Sequence, residues 1–75
     1  MKKLRVTVLY KDGTNTCFTG ITRISPSYDG SKIFLLKDLT PEEMKLYGRN
    51  PDEDEDFLTC TIENAEEVNL FVTIM

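Results

Sequence analysis

The residues best placed to do chemistry in this chain are five consecutive acids, Asp52-Glu53-Asp54-Glu55-Asp56. Asp52, Asp54 and Asp56 fall at positions one, three and five of a calcium-loop count, and Glu63 falls at position twelve. Position six is Phe57, where such a loop needs glycine for its sharp turn, and residues 57–62 read as a strand. A solvated charge run is the better reading, and no metal is expected. Adjacent carboxylates repel one another, and the nearest cation in sequence is Arg49, so keeping the run compact is costly. A plain connector could use about two to six polar residues of any kind. Binding residues collect on loops held by a rigid scaffold, and negative charge there would steer encounter with a basic partner. Asp52, Glu53, Asp54, Glu55 and Asp56 are therefore the expected partner-binding residues.

Catalysis finds little to work with. The chain has no His, so a Ser or Cys nucleophile would lack its usual base. Most carboxylates lie in exposed runs, where a pKa has no reason to shift. Neither common Gly-rich phosphate loop occurs. Two cysteines, Cys17 and Cys60, cannot make a disulfide framework or a zinc site. Each sits mid-strand among Thr and apolar neighbours, so both are expected to be reduced core thiols. We expect no enzyme activity and no cofactor.

The net charge of −4 conceals a split. Residues 1–37 carry seven cations against two acids (+5), whereas residues 38–75 carry two cations, Lys45 and Arg49, against eleven acids (−9). Such asymmetry points to charged partners, or else to two halves that fold together and neutralise. The alternative binding set is basic: Lys3, Arg5, Lys11, Arg23 and Lys32 could contact nucleic acid directly. Those cations are spread singly, and Tyr10, Phe18 and Tyr28 form no stacking platform. The acidic half would repel a phosphate backbone unless held away from it.

Positioning these residues takes a small scaffold. Seventy-five residues make one domain, 1–75, near the lower end of what folds without staples. Leu4, Val6 and Val8 alternate at period two, and Lys11-Asp12-Gly13 marks a hairpin to a second strand ending near Ile24 or Ser25, before Pro26. Two registers compete. A two-residue turn would set Val8 against Cys17 and Leu4 against Ile21. A turn bulged at Gly13 would set Val6 against Phe18 and Leu4 against Gly20. The bulged form is favoured, because burying Phe18 removes more apolar area from water than burying Cys17.

Ser27 to Ser31 reads as a turn, and Lys32 to Lys37 as a third strand whose apolar run, Ile33 to Leu36, suggests contact on both faces. One helix follows, from Pro41 to Tyr47. Thr40 and Glu43 make a capping box, Pro41 suits the first position, Leu39 and Met44 can staple, and Gly48 stops it. Two turns cannot persist alone, so the helix should dock on the sheet through Met44 and Tyr47. Phe57 to Ile62 and Val68 to Ile74 read as the last strands, with a turn at Asn64-Ala65-Glu66 between them.

The expected fold is mainly β: a curled five-stranded antiparallel sheet or small barrel, with one short helix between the third and fourth strands. Closing so small a sheet would remove its sticky edges. The spacing of Leu4-x-Val6-x-Val8, Asp12-Gly13, Gly20-Ile21, Asp29-Gly30 and Ile33-x-Leu35 resembles small SH3-like barrels, most nearly the Sm-like family. The resemblance implies shape alone. Where that family reads RNA with an Asn after its Asp turn this chain has Ser31-Lys32, and where it pairs Arg with Gly this chain has Glu63-Asn64-Ala65-Glu66.

The longest apolar run is the four residues Ile33 to Leu36, too short to span a membrane, and Arg5 and Thr7 interrupt any export signal, so a cytoplasmic chain is expected. With a Met start on one minimal domain, the chain reads as a small acidic interaction protein. Its expected role is to bind and inhibit a larger partner with a basic surface, such as a nucleic-acid-binding enzyme. Phages and mobile elements make small proteins of this type against host defence nucleases, and the acidic run would then act as a nucleic-acid mimic.

Overall fold

The first hairpin takes the register that turns Phe18 toward the core. In the computed structural model, which describes residues 2–75, β1 (Leu4–Leu9) pairs antiparallel with β2 (Asn15–Ile21), with Val6 opposite Phe18 and Val8 opposite Thr16. The turn closes through Gly13 N–H to Tyr10 O at 3.1 Å and Tyr10 N–H to Thr14 O at 2.9 Å, with Gly13 at φ +89°. Phe18 is half-buried against the core.

One pairing differs from expectation. Leu4 faces Ile21 rather than Gly20, because the ladder slips between Leu4 and Val6. Gly20, at φ +75°, adopts the left-handed backbone that an extra residue in a strand requires, and this returns Ile21 to the buried face.

The expected long second strand divides at Thr22, giving six strands among the described residues rather than five. β3 (Arg23–Pro26) leaves β2's sheet and pairs with β4 (Lys32–Asp38). Thr22 welds the bend: its N–H and hydroxyl both donate to Leu36 O, at 2.8 and 3.1 Å, and its hydroxyl accepts from Asp38 N–H at 3.0 Å. Pairing stops at Pro26, which has no N–H to continue a ladder.

After β4 come α1 (Pro41–Leu46), β5 (Phe57–Glu63), a 3-10 turn (Ala65–Glu67) and β6 (Asn69–Ile74). The strands form two antiparallel sheets, ordered β2-β1-β6 and β3-β4-β5. They do not close into a barrel. Asn64 at φ 54° turns the chain into the 3-10 segment, and Ala65 N–H donates to Ser31 O at 2.9 Å. The chain thus crosses to β1's sheet instead of pairing β6 with β5. Val6, Val8, Ile21, Leu35 and Ile62 form the core between the sheets.

The thiols are not in that core. Cys17 and Cys60 are both exposed. The favoured register sets Cys17 beside Thr7, on the face opposite Val6 and Val8. Cys60 pairs with Leu35 from edge strand β5, where little covers it.

Candidate functional site

The acidic run belongs to an excursion, residues 39–56, that leaves the sheet after β4 and returns at β5. Its helical part follows its punctuation. Thr40 Oγ1 accepts from Glu43 N–H at 3.2 Å, and Glu43 Oε1 accepts from Thr40 N–H at 3.1 Å. That Thr40 N–H, with the Thr40 hydroxyl and the fields of Lys3 and Lys37, holds the Glu43 carboxyl below its ordinary pKa. Met44 is the buried residue of α1. Tyr47, expected to dock beside it, is instead 54% exposed, and Leu46 is 85% exposed. The helix ends at Leu46, so Tyr47 is its cap and leaves the face that Met44 occupies.

The loop beyond is tied by its own backbone. Gly48 at φ +71° turns the chain, and Arg49 N–H donates back to Met44 O at 2.8 Å. The Arg49 guanidinium then donates from Nη1 to the carbonyls of Glu55 and Phe57, both at 3.0 Å. Asn50 O accepts from Glu53 and Asp54 N–H, its Oδ1 accepts from Asp52 N–H, and its own N–H donates to Asp54 Oδ2 at 2.6 Å. Leu39 N–H to Asp56 O, at 2.7 Å, closes the base.

The expected site residues therefore separate into two kinds. Asp54 spends a carboxylate oxygen on the turn. Asp52, Glu53, Glu55 and Asp56 are exposed and form no ion pair among the described residues. Arg49, the nearest cation, serves carbonyls rather than carboxylates, so it shapes the run without neutralising it.

The basic set is not gathered. Lys3 precedes β1, and Arg5 sits on its exposed face opposite Thr73. Lys11 lies in the first turn and pairs with Glu67 at 3.6 Å. Arg23, on the other sheet, binds Asp38 at 2.9 Å and lies over the Phe57 ring, 5.5 Å from its centroid. Lys32 opens β4 opposite Glu63. Three of the five thus face acidic residues, and the set is divided between both sheets.

Two exposed apolar features lie outside the expected site residues. Leu46 and Tyr47 lie exposed on the same excursion as the acids. Separately, Phe34 and Leu36 line a shallow groove of about 620 Å³ with Arg23, Ile24, Ser25 and Thr59. The four-residue apolar run of β4 was the signal for the groove, since its alternate residues must face away from the core.

Among the described residues, no group of three or more His, Cys, Asp or Glu is placed to hold a metal ion. No helix among them is long and apolar enough to cross a membrane. Comparison with protein-family models, with characterised proteins and with solved structures finds no match.

Proposed function

We propose that this chain is a small non-catalytic interaction protein whose excursion, residues 39–56, binds a basic surface on a larger protein. One observation carries the reading. Four carboxylates, those of Asp52, Glu53, Glu55 and Asp56, stand without ion pairs among the described residues on a loop whose backbone Arg49, Asn50 and Asp54 hold in place. Charge on a fixed backbone can match a fixed pattern of cations at little cost in ordering. Leu46 and Tyr47 add exposed apolar area to the same excursion, a mix of charge and apolar surface found at interfaces rather than in a solvating tail. A nucleic-acid-binding enzyme presents the complementary surface. Inhibition of such an enzyme by mimicry of its substrate, as by phage or mobile-element proteins against host nucleases, is the role this fits.

The test changes Asp52, Glu53, Glu55 and Asp56 to their amides and leaves Asp54 to hold the turn. Proteins captured from a bacterial lysate by the wild type should be lost, and association with a captured partner should slow by about tenfold or more at low salt. Capture of the same proteins, at the same rate across salt, would refute the reading. A salt-sensitive shift of labelled DNA or RNA that disappears with Lys3 and Arg5 would favour direct nucleic-acid binding instead.

A further inference from the structure

Strand β6 lies at the outer edge of its sheet, with β1 as its only bonded neighbour among the described residues. Met75 N–H donates to Lys3 O at 3.0 Å, so the bonded pairs alternate from there as Arg5 with Thr73, Thr7 with Phe71 and Leu9 with Asn69. Leu70, Val72 and Ile74 consequently turn their backbone N–H and C=O groups toward the open edge. Proteins blunt such edges with charge, proline, a bulge or a covering element. The other three edges here carry one: β2 has the Gly20 bulge, β3 has Arg23 and Pro26, and β5 ends in Glu63. Residues 68–75 contain no charged side chain and no proline, the β1–β6 register runs unbroken, and no described residue is bonded along the outer side of β6. Its side chains are open too, Val72 by 46% and Ile74 by 66%, with Phe71 and Met75 more than half exposed.

We propose that two copies of this chain pair through β6, antiparallel about a two-fold axis. A two-fold at Val72 sets Val72 against its own copy and Leu70 against the second copy's Ile74, so every outward N–H and C=O of these three residues gains a partner. Leu-x-Val-x-Ile reads apolar at the same places when reversed, which makes the strand its own complement. Cross-strand pairs of such residues are the favourable unit of a sheet. Charge selects the same strand. In a chain of net charge −4, residues 68–75 are the longest uncharged stretch of the acidic half, so two copies meet there with least repulsion. The pairing leaves the acidic excursion out of the contact and is independent of its role.

Sedimentation equilibrium of the full chain through the micromolar range should give a dimer. Val72→Lys, a charge on the axis at an exposed position, should give a monomer with wild-type circular dichroism. A wild-type monomer throughout, a dimer that survives Val72→Lys, or open-ended assembly each overturns the proposal, since a two-fold pair is closed. Should Val72→Lys fail to fold, crosslinking decides. In a Cys17→Ser, Cys60→Ser background, Val72→Cys should oxidise to a covalent dimer, because bonded cross-strand Cα atoms lie about 5.5 Å apart, within disulfide reach. Phe71→Cys should not, its counterpart being the second copy's Thr73. Equal crosslinking of both, or of neither, overturns the pairing.

Discussion

Truncating Met44 to alanine measures how separately the acidic excursion is held. Met44 is 1% exposed, yet it lies outside the central cluster of Val6, Val8, Ile21, Leu35 and Ile62. Only Leu39 is also buried in the excursion, and a two-turn helix cannot persist without such anchorage. Removing a buried methionine side chain costs about 2–5 kcal/mol, and a peripheral site that can collapse belongs at the low end, about 2–3 kcal/mol. Local opening would then become about 30- to 150-fold more frequent, at about 1.4 kcal/mol per tenfold. Native-state amide hydrogen exchange reads this directly. The amides of Met44, Tyr47 and Arg49, bonded to Thr40, Glu43 and Met44 carbonyls, should lose that much protection. The amides of Val6 and Val8 should lose much less. Equal loss at both places would mean that the excursion opens only with the whole domain, and unchanged protection would mean that Met44 is no anchor. Either result refutes the reasoning.

Three further outcomes follow from local geometry. Gly20→Ala should lower stability by about 1 kcal/mol, since φ +75° is left-handed and the new Cβ would sit 3.3 Å from the yielding Lys37 side chain. An unchanged urea midpoint would argue against the bulge. Phe18→Ala should cost about 2 kcal/mol, below the range for a fully buried Phe, and lower Tm by about 10 °C. A Tm drop under about 3 °C would place Phe18 outside the core. Asp29 accepts from the backbone N–H and hydroxyl of Ser31 and from the Ser27 hydroxyl, which bring its carboxyl down to about 2. A folded-state pKa below the unfolded one contributes stability above about pH 4, lost as pH falls toward 2. Acid titration of Asp29→Asn should show a shallower loss of stability in that window than the wild type; identical curves would remove Asp29 from the account.

Local chemistry was readable wherever a residue carried its own instruction. Thr40, Pro41, Glu43 and Gly48 make the same helix ends in almost any context, and burying Phe18 over Cys17 chose the hairpin register on area alone. What escaped depended on partners far away in sequence. Thr22 bends the second strand because Leu36 and Asp38 offer it bonds across the sheets, and nothing within residues 15–26 announces this. Gly20 was visible as a glycine in a strand, but its bulge is defined only against β1. Tyr47 looked like a core residue because aromatics bury well, and only the end of α1 one residue earlier turns it outward. In the acidic run, composition showed the charge but could not separate Asp54, which ties the turn, from its four neighbours.

The pairing of β1 with β6 also sets the order in which this protein assembles. Every other strand pair joins segments separated by a short turn or by the excursion, whereas Leu4 meets Ile74 and Leu9 meets Asn69. Closing so long a loop costs the most entropy of any pairing here, and that entropy is spent before the β1–β6 contacts repay it. During synthesis β1 can pair with β2 as soon as the first hairpin emerges, but its other edge must wait until Asn69–Ile74 has been made. Substitutions in β6 should therefore act on how fast the native state comes apart rather than on how fast it forms.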